Sequence, residues 1–590
     1  MRVPSTLLVL SVTACGAPPS PPAKPPAVVA TAGSATSTPS GPALQLTAMR
    51  PPPPSQAAPA PLLGLMQAEL TRSLAALHGH DDPPYFASYE VVDATRVDVS
   101  ASDGALTHSA TSHNRWLDID VRVGDYTLDN THHSKQRSTY GAPLPVTDDA
   151  YAITSTLWQH TDAAYQHAAE ALAKARANAK VMASDDDTSD DFSHEAPLTS
   201  IEPPAQLSLD RAPWEPRLRA LSAAFRAHPE ILQSSITLSA EAETRSYVAS
   251  DGSLAQLPHV HYRVMIAAST RVDDGMDLHR DELFDVATPD RLPTDDAIRA
   301  RVDKVIADLD ALRAAPVADP YSGPAILEGQ AASVFFHEVF GHRIEGHRQK
   351  DDSEGQTFSK KVGQKIMPDF LDVYDDPSIA QLDGVDLNGF YRVDDEGVAG
   401  QRASLVEHGV LQTFLLGRSP TRGFQHSNGH GRRSPTHSPV ARQGNLVVAA
   451  SRTVDRATLQ RMLIDQVIAQ NKPYGLIFRE LDGGFTMTER FAPQSFKLLP
   501  IMVLRVYRDG HEELVRGADL EGTPLTALGD IVAAGDQAQT FNGYCGAESG
   551  FVPVSSTAPP LLVSHVEVAK KAQGRNRPPI LPPPAAGGAR

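Results

Sequence analysis

Cysteine is almost missing from this chain of 590 residues: there are two, Cys15 and Cys545. A disulfide framework is therefore excluded, and at most one bridge is available. Positive charge is also in deficit, with 53 Lys and Arg against 71 Asp and Glu and a formal net charge of −18. That balance argues against a general nucleic-acid binder, which needs a basic face. Long apolar runs are lacking outside the N-terminus, so no transmembrane helix is indicated. There is no G-x-S-x-G elbow, P-loop or G-x-G-x-x-G fingerprint to support serine hydrolysis or nucleotide chemistry.

The N-terminus reads as an export signal. Met1-Arg2 supplies the positive end, Leu7 to Val12 the apolar core, and Val12-Thr13-Ala14-Cys15 the closing small residues. That quartet resembles the lipobox of bacterial lipoproteins, which implies cleavage before Cys15 and lipidation of its thiol. The expected product is an exported, membrane-anchored lipoprotein on a periplasmic or cell-surface face, touching the membrane through its lipid alone. Residues 15–61, rich in Pro, Ala and Ser, are expected to be a disordered tether. Cys545 is then left without an internal partner in an oxidising compartment, either as an inert buried thiol or as a metal thiolate.

The length allows several domains. Leu62 to His78 has helical apolar spacing, and Tyr85 to His132 alternates as antiparallel strands with a Ser102-Asp103-Gly104 turn. A long helix is expected from Ile153 to Met182. Ser184 to Asp191, with five aspartates, reads as a solvated loop that lacks the ligand spacing of an EF-hand. Val248-Ala-Ser-Asp-Gly252 echoes Ser100-Ala-Ser-Asp-Gly104, which points to two related strand-helix units within residues 62–315. A β-rich domain follows over 316–568, and 569–590 is a Pro/Gly-rich tail. The fold class expected is α+β, with mostly antiparallel sheets in the first part and a helix carrying the site in the second. Arg418 to Arg442, with five arginines and three histidines, reads either as a flexible surface loop or as a clamp over an anionic ligand.

The most informative stretch is Gly329-Gln-Ala-Ala-Ser-Val-Phe-Phe-His337-Glu338-Val-Phe-Gly341-His342-Arg-Ile-Glu345-Gly-His347. Imidazole is a common transition-metal ligand, and a neighbouring carboxylate can take a proton from metal-activated water. In H-E-x-x-H the two histidines lie about 40° apart on a helix, whereas one extra residue separates His337 and His342 by roughly 140°. Both can face one ion only through a π-bulge or a helix break near Gly341. The alternative is a buried amphipathic helix with two hydrogen-bonded histidines.

His337-Glu-Val-Phe-Gly-His342 followed by Ile344-Glu-Gly346 resembles the H-E-x-x-x-H-x-x-E-G core of the TldD/PmbA metallopeptidases, in particular the metal-bearing TldD type. Asp394-Asp395-Glu396-Gly397, Leu405 to Leu411, Val515 to Leu520 and Gly543-Tyr-Cys545-Gly546 fall in the family's order. The resemblance implies one zinc ion per chain held by His337, His342 and Cys545, with Glu338 as catalytic base. The implied function is a zinc-dependent peptidase acting on unfolded or short peptides. It also implies a homodimer, or a heterodimer with a metal-free PmbA-like subunit. Glu345 is a candidate for orienting a ligand histidine, and His347, where TldD commonly has an acidic residue, is a competing ligand. Arg432, Arg433 and Asn445 are candidates either for supporting the ligands or for binding substrate. The rival readings are a non-catalytic or partner-dependent peptide-binding subunit and a metal amidase acting on cell-wall peptides.

Overall fold

Two long hairpins build the first half of the chain. Pro84–Ser102 turns into Ala105–Val123, and Ile231–Ala249 turns into Leu254–Arg271. Both turns use the repeated Ser-Asp-Gly, with Gly104 and Gly252 at φ of 77° and 97°, a region that glycine enters without steric cost. Alternate residues of these strands (Ala87, Tyr89, Val91, Val97, Val99 and Ala101 in the first) are buried, as a half-covered sheet requires. The two hairpins pair antiparallel from Ser88↔Ala249 to Ala101↔Ile236, so they share one seven-stranded sheet with their turns at opposite ends. Helices Pro61–Leu77 and Ala150–Ala179 cover one end of a single face, and Trp214–Ser222 with Asp295–Ala314 cover the other.

The structure is a computed structural model, and it describes residues 41–54, 57–132, 139–179, 187–350, 354, 357–489 and 494–571, with 579 and 581. Cys15, the export signal and most of the tail lie outside those residues. No helix among the described residues is long and apolar enough to cross a membrane.

The second half is built on two large sheets, with two small ones beside them among the described residues. A six-stranded sheet runs in the order Val410–Leu411, Ala403–Glu407, Leu371–Asp375, Asn445–Ala450, Gly550–Ala558, Gln539–Ala547. In the other, Tyr474–Thr486, Tyr321–Leu327, Leu561–Lys570, Ala518–Gly522 and Phe496–Tyr507 close into a ring, because the first of these strands also pairs with the last. Helix Gly329–Val339 lies between the sheets, with Val334, Phe335, Phe336 and Val339 fully buried in their shared core. Each such side chain contributes about 1.5–3 kcal/mol by burial, which holds the helix against both layers. The chain is thus an α+β protein rich in strand.

Two expectations about polar segments need correction. Within the segment expected as a tether, residues 41–54 are bound to the second half. Ala48–Met49 pairs with Gln381–Leu382, the Leu44 N–H donates to the Ala450 carbonyl at 2.8 Å, and Arg392 donates to the Pro52 carbonyl at 2.9 Å. Composition reports how much apolar area a segment can bury; it is silent on backbone partners lent by another part of the chain. The aspartate-rich loop is solvated only in part where it is described: Asp187 and Asp190 are half-buried and Thr188 is exposed, but the loop's last residue is not. Asp191 is buried, accepts from the Asp129 N–H at 3.0 Å, and lies 3.3 Å from Lys350 Nζ.

The sheet face opposite the helices docks on the second half through buried charge. Arg245 pairs with Asp395, Arg433 lies 3.4 Å from Glu90 and 3.6 Å from Asp118, and Arg418 donates to Asp251 at 2.9 Å.

Candidate metal centre

The site starts from a helix that stops. Gly329–Val339 ends at Phe340, and Gly341–Arg343 continues as a single 3₁₀ turn. Glycine is needed here because a Cβ at Gly341 would sit 1.9 Å from Gln443 Oε1. Of the two routes open from spacing alone, the chain takes the break and not the bulge. The change of winding brings the rings of His337 and His342 to 5.2 Å between centroids at 78°.

Cys545 arrives from Gln539–Ala547, the edge strand of the six-stranded sheet, paired with Val552. Its Sγ lies 3.2 Å from His337 Nε2 and 3.2 Å from His342 Nε2. All three side chains are buried, and these donor atoms lie within 4.8 Å of one another. A second trio, His228, Glu230 and Asp310, also clusters but is partly solvent-exposed. Glu338 follows His337 directly, with Oε2 4.0 Å from His342 Nε2.

The electrostatics favour negative charge on sulfur. Burial pushes the Cys545 thiol up, yet the facing rings of His342 and His337 outweigh it and hold it well below its ordinary range. Burial pushes His342 down, but Cys545 and then Glu345 lift it well above its usual value. His337 is raised in the same way, by Cys545 against burial. Glu345, fully buried, is held down at about 2: burial opposes ionisation, and Arg348 and His342 overcome it.

This donor set fits zinc. One thiolate and two imidazoles leave a fourth tetrahedral position free, the pattern of a catalytic rather than a structural site. A nitrogen about 2.0 Å and a sulfur about 2.3 Å from one ion would stand about 3.5 Å apart in a tetrahedron, a little more than the two 3.2 Å spans from Cys545 to the histidines. The Nδ1 atom of His337 is buried without a hydrogen-bond partner among the described residues. His342 Nδ1 lies 3.4 Å from Glu345 Oε1, so the carboxylate stands where it can orient that ring.

The other candidates are elsewhere. His347 Nε2 meets Glu548 Oε1 at 2.6 Å, outside the three donors. Arg432 donates to the Gln443 and Pro553 carbonyls, both at 2.7 Å, and stacks on Tyr391. Arg433 donates to the His437 carbonyl at 3.1 Å. Asn445 holds the Ile379 and Asp376 carbonyls at 2.9 and 3.2 Å. Four of the five arginines between 418 and 442 are buried on protein partners, so this segment is not a flexible surface loop, and those four side chains are engaged within the chain. Residues whose contacts with the donor residues were not read from sequence are Gln443 and Arg442, the latter singled out only as the end of the Arg-rich segment; Glu548 meets His347 and Arg348.

Residues 320–570 match the PmbA/TldA metallopeptidase C-terminal domain. The candidate metal centre described above lies wholly inside this matched region. A metalloprotease of Archaeoglobus fulgidus is 26% identical over 238 residues, 40% of this chain and 51% of the relative. A protein named zinc metalloprotease TldD homolog, from Saccharolobus solfataricus, is 22% identical over 250 residues, covering 42% and 51% respectively. The chain thus spans about half the length of the curated relatives it matches. TldE from Thermococcus kodakarensis has the same fold over 86% of this chain and 100% of its own, with a TM-score of 0.55 at 12% identity. Residues 320–570 are thus similar to a metallopeptidase C-terminal domain and to proteins named metalloproteases.

Proposed function

We propose that the protein is a zinc-dependent peptidase of the TldD type, cleaving unfolded or short peptides. The observation that carries this reading is the meeting of His337, His342 and Cys545 beside Glu338. His337, His342 and Cys545 would hold the ion, which when bound supplies a Lewis acid for the peptide carbonyl and an acidified water. Glu338 takes a proton at its carboxylate and returns it to the leaving amine. Burial of the site keeps bulk water away from this exchange. Glu345 holds His342 in orientation from the far side. The zinc metalloprotease name of one relative supports the choice of metal. The likeness to TldE is consistent with a paired assembly, a heterodimer with a PmbA-like subunit or a homodimer. The Met1 to Cys15 pattern supports an exported lipoprotein.

Metal analysis of purified full-length wild type and Cys545→Ser, alongside a peptide-library digest read by mass spectrometry, tests the proposal. One zinc per chain and cleavage in the wild type, with both lost in Cys545→Ser, are expected. Zinc without cleavage, even with a partner subunit supplied, would return the protein to a peptide-binding role.

A further inference from the structure

Arg442 has no exposed area (0%), its two terminal nitrogens are hydrogen-bonded, and its Nε makes an ion pair but no hydrogen bond among the described residues. Nη2 donates to the Cys545 carbonyl at 2.7 Å, Nη1 donates to Ser549 Oγ at 2.8 Å and to the Gly550 carbonyl at 3.2 Å, and Nε lies 3.4 Å from Glu345 Oε1. Glu345 in turn stands behind His342 and is anchored by Arg348 at 2.8 Å. The next residue, Gln443, donates to the His337 carbonyl at 3.3 Å. Two adjacent side chains therefore reach Cys545 and His337 directly and His342 through Glu345.

The strand carrying Cys545 is the sheet's edge, so it has a hydrogen-bonded ladder on one side only. Something other than a second strand must fix the depth at which its sulfur meets the two rings. We infer that Arg442 is a positioning residue for the metal centre, setting the Cys545 backbone and the Glu345 carboxylate from one rigid plane. The inference rests on the reading of His337, His342 and Cys545 as zinc ligands. A planar fork with a fixed geometry suits this joint, whereas a lysine carries the charge without the fork.

The test uses the full-length protein as wild type, Arg442→Met and Arg442→Lys. Zinc affinity is measured by competition with a chromophoric chelator, the cobalt(II)-substituted protein is read for its thiolate charge-transfer band, and melting temperature is recorded for each metal-free form. Arg442→Met should bind zinc about 10–100-fold more weakly, the usual range for losing a residue that supports a ligand, with a displaced cobalt band. Arg442→Lys should fall between the two. Where Arg442→Met does not fold, Arg442→Lys decides. A wild type that takes up no zinc overturns the ligand assignment and this inference with it. A wild type that binds one zinc beside folded variants binding within twofold, with an unchanged cobalt spectrum, overturns the positioning role alone. A lowered melting temperature with unchanged zinc affinity would make Arg442 merely structural.

Discussion

Arg418→Ala separates a staple from a clamp. The Arg418 side chain is 2% exposed, donates to Asp251 Oδ2 at 2.9 Å and to the Ser193 carbonyl at 3.0 Å, and lies 4.0 Å above the Phe192 ring. Truncation strips Asp251 of its cation, leaves a buried carbonyl without that donor and opens space over the ring. Removing one partner of a buried pair costs about 3–5 kcal/mol. The Asp251 side chain keeps 15% exposure and so some water, which puts the expected loss near the lower end, about 3 kcal/mol. Arg418→Met retains most of the volume and isolates the electrostatic part. Arg422→Ala, at an exposed position in the same segment, should change stability by less than about 0.5 kcal/mol. Equilibrium urea unfolding, followed by both tryptophan fluorescence and far-UV circular dichroism, measures each variant, with chelator present throughout so that metal linkage is constant. An Arg418→Ala protein within about 1 kcal/mol of wild type, and with weakened peptide binding, would refute the staple and restore the ligand clamp.

Glu338→Gln should keep its zinc and lose about 10²–10⁴ in kcat, the range of a general base; loss of metal together with turnover, by elemental analysis, would make Glu338 structural instead. His347→Ala should leave zinc content unchanged, since its ring is occupied by Glu548 and not by the centre. Acidity offers a further check at the interface between the halves. Burial first, and then Glu396, raise Asp394 to about 8, against three backbone N–H groups that favour its ionised form; Glu396 and Glu90 are also raised. A carboxyl raised on folding binds a proton that the unfolded chain releases above about pH 4, so its contribution is complete at low pH and is lost as pH climbs toward 8. The metal-free protein should therefore lose on the order of 1 kcal/mol per pH unit between about pH 5 and 8, and Asp394→Asn should flatten that slope; a parallel slope in the variant would rule out Asp394 as its source.

Local features of this fold were legible because their causes are local. The Ser-Asp-Gly turns needed positive φ at Gly104 and Gly252 and, in the first, at Asp103 (46°), a conformation aspartate tolerates, and Thr294 caps Asp295–Ala314 with its own hydroxyl. The helix break at Gly341 followed from asking how two histidines at that spacing could face one ion. The buried arginines were not legible, because a Gly/Ser/Pro segment carrying charge has one composition whether it faces water or a carboxylate 167 residues away, as Arg418 does. The strap at 41–54 failed for the same reason: its acceptors and donors belong to strands more than 300 positions later.

Cys545 is the extreme case, 208 residues from His337, and no periodicity could have linked them; only the resemblance did. What holds the sulfur inward is again a local device. Ala547 pairs with Gly550 across a two-residue turn, Glu548-Ser549, and Gly550 adopts φ of 84° where a Cβ would lie 1.9 Å from Ser434 Oγ. A turn of that length fixes the register of its hairpin, and a slip of one residue would turn Tyr544 or Gly546 toward the histidines and Cys545 to solvent. The same turn sends Glu548 to His347 and Arg348, so the loop that sets the register is itself held by residues just past the histidine pair. The candidate site therefore depends on the hairpin turn itself more than on any one of its anchors: Arg348 still holds Glu548 where the His347 ring is removed, whereas a change that alters the two-residue turn should release the sulfur before it disturbs the imidazoles.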